Sequence, residues 1–295
     1  MSEFIAYYTD GPKPYAPLTR ERYKTAFKLF ARFLDDRKNG LALVTDLSKA
    51  MLEDFYAWLK DGRTAYTKER YVQRVQTFWE WLDNHDDKKY ANVPRPRYLE
   101  MESEPAEAVV APTWEEMSLC IDACLTEWVR RITTILYFTG VRAEQARTME
   151  WSQVDVERGV MTIKPHKALP GRIIPMSPHF AAELAKWGKR EGFLCGYDVS
   201  DSLVRKRVRE AWERAAVRRE AWDGQTQQAF RIGVTTGLKL AGINKEDAEL
   251  YLGRTVEGAR KSYLAVGMLP LEHVAQAIPA VGKSNVVAMK AKEEA

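Results

Sequence analysis

The sequence predicts a mainly α-helical protein with a small β-hairpin or sheet, an N-terminal helical module followed by a mixed α+β domain. Three observations predict it. Apolar and aromatic residues recur at helical spacing over residues 19–85. A proline- and charge-rich stretch interrupts that pattern over 86–112. Beyond it, two short strand-like runs, 159–164 and 172–176, sit among helical segments.

In the N-terminal module Thr19 is a candidate N-cap, and Tyr23, Phe27, Phe30 and Leu34 follow on one face until Asn39-Gly40 stops the helix. Ser48 caps the next segment, whose stripe is Met51, Leu52, Phe55, Trp58 and Leu59, and Asp61-Gly62 ends it. Thr67 opens a third helix with Tyr71, Val75, Phe78, Trp79 and Leu82 on one side. Aromatics at this spacing form a core. The polar faces carry Lys24, Lys28, Arg32, Lys68, Arg70 and Arg74, which suit a solvated surface and DNA phosphates equally well.

The expected organisation is a helical domain over 1–90, a linker over 91–112, a second domain over 113–282 and a tail over 283–295 with no apolar pattern. In the second domain Thr113 and Glu116 form a capping box. Ile132 to Phe138 is an apolar helical run closed by Gly140, and 143–151 is helical again. Leu169-Pro170-Gly171 is the turn between the two strands. Helices are expected from Pro178 to Gly192 and over 201–220, 228–241 and 244–252. Residues 265–282, with Val266, Met268, Leu269, Leu271, Val274 and Ile278, read as an apolar helical tail.

Composition bounds the function. With 45% hydrophobic and 29% charged residues the chain is an ordinary globular protein. It has no apolar run of about 18 residues or more, so no membrane partner is expected. The opening Met1-Ser2-Glu3-Phe4 is not a secretory signal, and Cys120, Cys124 and Cys195 make neither a disulfide framework nor a metal motif, so a cytoplasmic location is expected. The net charge of +4 permits a nucleic-acid partner without requiring one. The distribution is more informative. Arg205, Lys206, Arg207, Arg209, Arg214, Arg218 and Arg219 lie within one helical stretch, either a solvated face or a phosphate-facing stripe.

Four local patterns then follow in order. Thr139-Gly140-Val141-Arg142 closes the apolar helix. Lys167-Ala168-Leu169-Pro170-Gly171-Arg172-Ile173-Ile174-Pro175-Met176 crosses the hairpin. Gln228-Ala229-Phe230-Arg231 opens a helix, and Leu252-Gly253-Arg254 is followed nine residues later by Tyr263. Each fragment alone is weak, but their order and separations are specific. Together they resemble the tyrosine recombinase, or phage integrase, family, whose fragments read T-G-x-R, a hairpin lysine before R-x-x-P-L, H-x-L-R, and L-G-H with a tyrosine nine residues on. The resemblance covers residues 113–275, and the module at 19–85 is similar to the family's core-binding domain.

The resemblance implies a tyrosine-recombinase catalytic domain and site-specific DNA strand cleavage and rejoining through a covalent 3′-phosphotyrosine. Tyr263 would be the nucleophile; a tyrosine hydroxyl has a reference pKa near 10 and needs help to lose its proton. Arg142 and Arg231 would hold the nonbridging oxygens, a task suited to planar, always-charged guanidiniums. Lys167 would protonate the departing 5′-oxygen; Lys164 is the nearby rival. No cofactor is implied. The implied partners are double-stranded DNA, other copies of the chain as a tetramer on two sites, and an accessory DNA-bending protein. Arg205, Lys206, Arg207, Arg209, Lys28, Arg70 and Arg74 would contact DNA, and the 265–282 tail would dock on a neighbouring subunit, its rival being packing on its own domain.

Three positions depart from the family pattern. Gln228 and Arg254 replace its two histidines, and Gln145 replaces an acid. Glutamine cannot carry a proton at neutral pH, and an imidazole that helps deprotonate the phenol is worth about 10²–10⁴-fold. Arg254 retains donors and adds charge. Gln228 and Arg254 leave a second reading open, a catalytically weakened or inactive recombinase-fold DNA-binding or regulatory protein. The shared chemistry leaves a third, a type IB topoisomerase.

Overall fold

The computed structural model describes residues 2–10, 14–37, 48–59, 63–84, 110–165, 171–188, 191–216, 226–254 and 271–282. They fall into two compact units, Met1–Ala106 and Glu107–Ala295. Most of the expected linker at 91–112 and all of the 283–295 tail lie outside the described residues.

The first unit comprises helices α1 (Ser2–Asp10), α2 (Pro17–Asp36), α3 (Lys49–Trp58) and α4 (Ala65–Asn84). Its core is aromatic, with Phe27, Phe30, Phe33, Phe55 and Trp79 buried beside Leu52 and Val75. Helix α1 was not anticipated, because nine residues are too few to show a clear period and too few to be helical alone. Tertiary contact holds it. The Phe4 ring is fully buried, with Tyr23, Phe27, Phe78 and Trp81 centred 5.2–5.6 Å away.

Two expected caps are displaced. Helix α2 starts at Pro17 rather than after Thr19, because proline presets the first helical dihedral and lacks the N–H that would need a partner. Helix α4 is closed by Thr64 rather than Thr67; Thr67 N donates to Thr64 Oγ1 at 3.3 Å and Lys68 N to Thr64 O at 3.1 Å. Ser48 caps α3 as expected, accepting from Met51 N.

The second unit runs α5 (Trp114–Asp122), α6 (Glu127–Thr139), α7 (Ala143–Arg147), a 3-10 turn at Trp151–Gln153, strands β1 (Val154–Asp155), β2 (Val160–Ile163) and β3 (Arg172–Pro175), then α8 (Pro178–Lys186), α9 (Asp201–Arg214), α10 (Thr226–Leu240), α11 (Lys245–Leu252) and α12 (Glu272–Gln276). The Thr113–Glu116 capping box is present in both directions, at 2.8 and 3.2 Å. The expected hairpin has a third antiparallel strand, β1, whose two residues are too short to show alternation. The register pairs Ile163 with Arg172, so Arg172 stands at the start of β3. Leu169 and Pro170 of the expected turn lie outside the described residues.

Helix α10 is the central element, packed on α5, α6, α9 and α11. Gly233 and Gly237, one turn apart, make the α5 contact possible. A Cβ at Gly233 would strike Met117 and the Pro112 carbonyl, and one at Gly237 the Trp114 ring. Each mid-helix glycine costs roughly 0.5–1 kcal/mol against alanine, so close approach is what the position gains. Cys120 and Cys124 sit in the same region; burial pushes both thiols up, as for small apolar core residues.

Residues 271–282 resolve the question of the tail for the part described. Leu271, Val274 and Ile278 are buried in the core of their own unit, and Gly282 N donates to Ser118 Oγ at 3.2 Å. The described part of the apolar stripe is satisfied within its own unit, while Val266, Met268 and Leu269 lie outside the described residues. Truncation before Leu271 removes three buried side chains at about 1.5–3 kcal/mol each. The second unit should then lose its cooperative thermal transition, even at protein concentrations too low for self-association.

Candidate functional site

The site begins where α6 ends. Gly140 adopts φ 55 and terminates the helix, its N–H bonding Leu136 O at 2.9 Å. A side chain there would meet Leu252 and Val234, so the glycine serves both the turn and the packing. The reversal places Arg142 at the N-cap of α7. Gln145 fixes it from the other side, with Arg142 N donating to Gln145 Oε1 at 3.3 Å and Gln145 Nε2 donating to Lys164 O at 3.1 Å. This explains the glutamine at a position where the resemblance expected an acid. An ionised carboxylate accepts but cannot donate to the strand carbonyl.

Arg231 reaches the same turn from the first half of α10. It is 4% exposed, and its Nη1 donates to Gly140 O at 2.6 Å. Tyr251, fully enclosed near the end of α11, donates its hydroxyl to Phe138 O at 2.9 Å, while its carbonyl accepts from Arg172 Nε at 3.0 Å. Gly253 caps α11 at φ 63, and a Cβ there would collide with the Arg172 guanidinium. Arg254 follows, its Nη2 donating to Thr235 Oγ1 at 2.9 Å, and Thr235 in turn donating to Arg231 O at 2.6 Å.

Arg142, Arg172, Arg231 and Arg254 thus gather around one turn. Burial first, and then the charges of Arg142, Arg254 and Arg172, pull Arg231 down to about 9. Burial pulls Arg172 down to about 10, with Tyr251 opposing and Arg142 adding to the fall. Both values stay above neutral pH, so these two guanidiniums are charged under physiological conditions. The carboxylates nearest in sequence are committed elsewhere, Glu144 to Arg147 at 2.5 Å and Glu150 to Lys164 at 2.8 Å. Arg142 Nη1, Arg172 Nη2 and Arg231 Nη2 are buried with no protein partner. A buried donor left unpaired costs about 1–3 kcal/mol, more when charged. Chemically, the arrangement is a receptor for a compact anion with several oxygens.

Of the sequence candidates, the structure brings Arg142, Arg231 and Arg254 together. Lys167 and Tyr263 lie outside the described residues. Gln228 is exposed near the start of α10, and the adjacent Gln227 is the buried one, its Nε2 without a partner. Lys164, the rival hairpin lysine, is held by Glu150. Arg172 was quoted within the hairpin pattern but not as a site residue; its signal was only a strand-initial arginine, which reads as a solvated edge.

On α9, Val204, Val208, Ala211 and Trp212 are buried, leaving Arg205, Lys206, Arg207 and Arg209 exposed. Arg205 pairs with Asp201 and Arg207 with Glu210, each at 2.8 Å. In the first unit Lys28 is exposed, Arg70 lies over the Tyr66 ring at 4.9 Å and Arg74 over Tyr71 at 5.9 Å. Among the described residues no group of three or more His, Cys, Asp or Glu side chains is placed to hold a metal, and no helix is long and apolar enough to cross a membrane.

The family model of the phage integrase family matches residues 114–266, more than half of the chain. The chain belongs to the phage integrase family, the tyrosine recombinases. Its fold agrees with solved structures of such recombinases. XerH bound to its difH substrate superposes with a TM-score of 0.63 at 15% identity, over 93% of this chain and 79% of that one. Lambda integrase residues 75–356, a dimer on a COC′ core site, gives 0.66 at 15% identity, over 90% and 99%. A lambda integrase tetramer on a Holliday junction gives 0.65 at 16% identity, over 96% and 78%. No curated protein sequence matches the chain. Membership of this family places the chain among enzymes of site-specific recombination in general.

Gly140 is the most exacting backbone position of this integrase-family site. Gly140→Ala forces a side chain into left-handed backbone and against Leu252. It should cost about 2–5 kcal/mol in urea denaturation, against less than about 1 kcal/mol for a surface alanine substitution such as Lys206→Ala.

Proposed function

We propose that the chain cuts and rejoins duplex DNA at a specific site through a covalent 3′-phosphotyrosine at Tyr263. The observation that carries this reading is the cluster of guanidiniums with buried, unpartnered N–H groups around the Gly140 turn. A phosphodiester supplies the oxygens such donors lack. Further support comes from the family's order of motifs, with Tyr263 nine residues past Arg254.

In the proposed reaction the Tyr263 oxygen attacks the phosphorus, the phosphorus–O5′ bond breaks, and the 5′-oxygen leaves as a hydroxyl. One phosphodiester replaces another, so rejoining by a 5′-hydroxyl runs the same step backwards. Arg142 and Arg231 neutralise the nonbridging oxygens, where charge concentrates in the transition state. Arg254, tethered to Thr235, adds a third cation where the family pattern has histidine. Lys167 gives its proton to the leaving oxygen; Lys164 is less suited, since Glu150 already holds it. The phenol proton passes to solvent or another base, because Gln228 cannot take it.

The exposed cations of α9, with Lys28, Arg70 and Arg74 of the first unit, would contact phosphates and set position rather than read bases. The DNA-bound dimer and tetramer among the structural neighbours support assembly of copies on DNA. The reaction would run on chromosomal or element DNA in the cytoplasm.

The test uses a duplex selected from a random library by binding, then nicked next to the cut so that the released fragment diffuses away. The wild-type chain should accumulate a covalent protein–DNA adduct and Tyr263→Phe none. Arg142→Ala and Arg231→Ala should slow adduct formation by roughly 10²–10³-fold. Lys167→Ala should be slow on ordinary DNA and recover on DNA with a 5′-bridging sulfur, a leaving group that needs no proton. Site-specific binding with no adduct from the wild-type chain would leave the DNA-binding reading instead. Separately, Arg209→Gln on α9 should weaken binding across sequences and reduce the salt slope of log K by about one.

A further inference from the structure

We propose that Arg172 is a phosphate-binding residue of this site, a further guanidinium gripping the nonbridging oxygens together with Arg142 and Arg231. The inference rests on the reading of the cluster as the scissile-phosphate site, but neither the family motifs nor the proton-transfer scheme gives Arg172 a role.

Three observations carry it. The first is how the guanidinium is held. Its Nε is spent on Tyr251 O at 3.0 Å, which orients the fork, yet Nη2 is buried with no partner. Arg147, by contrast, commits both of its terminal nitrogens, Nη1 to Val199 O and Asp198 and Nη2 to Glu144, and leaves only Nε without a partner, whereas in Arg172 a terminal nitrogen of the fork is the idle one. The second is the company it keeps. Arg172 acts on Arg231 and is acted on by Arg142, so three guanidiniums with an idle buried nitrogen each lie within one electrostatic neighbourhood. Like charges of this kind are unfavourable unless a polyvalent anion joins them.

The third is the space made for it. Gly253 lies in left-handed backbone with no Cβ, and any Cβ would occupy the volume of the Arg172 head. The Leu252-Gly253-Arg254 turn is therefore shaped around this guanidinium, and Arg172 couples the turn to the hairpin that carries Lys167. Arg172 would bring the hairpin and the turn onto the same phosphate.

The experiment uses the full chain and inorganic phosphate as probe. Melting temperature is followed against phosphate concentration at constant ionic strength, with chloride as the balancing salt, and an apparent phosphate Kd is taken for each variant against its own chloride baseline. Arg172→Gln should raise that Kd by about 10-fold or more, and Arg172→Lys, which keeps a charge but not the fork, by about 3-fold. Lys186→Gln, exposed on α8 and outside the surfaces assigned to DNA, should leave it unchanged. A merely structural role predicts a lower melting temperature in chloride with an unaltered phosphate Kd.

If Arg172→Gln does not fold, Arg172→Lys decides. Should neither fold, the guanidinium nitrogen resonances of Arg172 in the wild-type chain decide: they shift on phosphate titration if Arg172 binds it and stay fixed if it does not. A phosphate Kd within 2-fold of wild type in a folded Arg172 variant, while Arg142→Gln and Arg231→Gln weaken it, overturns the role of Arg172 and leaves the cluster reading standing. Absence of any phosphate-specific stabilisation in the wild-type chain overturns both.

Discussion

The bond from Arg231 Nη1 to the carbonyl of Gly140 is the contact on which the site depends. It joins the central helix α10 to the left-handed turn that ends α6, and it does so with a cation that burial and neighbouring cations both oppose. A backbone carbonyl near a helix C-terminus is a fitting acceptor, since the last carbonyls of a helix lack intrahelical partners and carry its negative pole. That pole offsets some of the repulsion among the four guanidiniums. The same helix end also binds the Tyr251 hydroxyl through Phe138 O. The C-terminus of α6 is therefore the surface on which α10 and α11 are registered, and the charge cluster follows from that registration.

Charge of one sign with few counter-ions is an unusual way to build an interior. Ordinary buried arginines are neutralised by carboxylates, but here Glu144 and Glu150 are drawn off to Arg147 and Lys164. Glutamines do the stitching instead. Gln145 ties the Arg142 backbone to Lys164 O, and Gln153 repeats the device two turns on, accepting from Glu150 N at 3.1 Å and donating to Thr162 O at 2.6 Å. Neutral amides anchor the loop to the sheet without cancelling the field of the guanidiniums. Stability given up locally by like charges is restored by a ligand that binds the folded state, so an anion bound at this cluster would stabilise the chain.

Much of this was legible in the sequence, and the reasons are local. The Thr113 capping box, Ser48, the Gly140 stop and the β2–β3 hairpin each rest on chemistry contained within a few residues. Arg142, Arg231 and Arg254 were legible because motifs place them, though nothing in their spacing shows that they touch. What escaped depends on partners distant in the chain. Helix α1 needed the far side of an aromatic core for Phe4 to enter. The α12 stripe gave an apolar face but not its acceptor, which proved to be its own unit. Arg172 was visible only as the arginine of the hairpin fragment, with no role attached, because its meaning comes from Tyr251 O, 79 residues away, and from the missing side chain of Gly253.

The departures from the family pattern share one direction. Gln145 and Gln228 stand where titratable groups are expected, and Arg254 stands where a histidine is. Neither of the two family histidine positions then holds an imidazole, and Arg172 and Arg231 stay charged past neutrality. In the proposed reaction electrostatic stabilisation would be retained or strengthened, while proton transfer would fall to Lys167 and to the phenol itself. With a reference pKa near 10, a phenol is increasingly ionised as pH rises toward it. A site of this kind gains rate with pH across the neutral range, where a histidine-assisted one levels off once its imidazole is neutral. Replacing a base by cations moves the demand from proton acceptance to charge stabilisation, and in the proposed reaction the guanidiniums around the Gly140 turn would meet that demand.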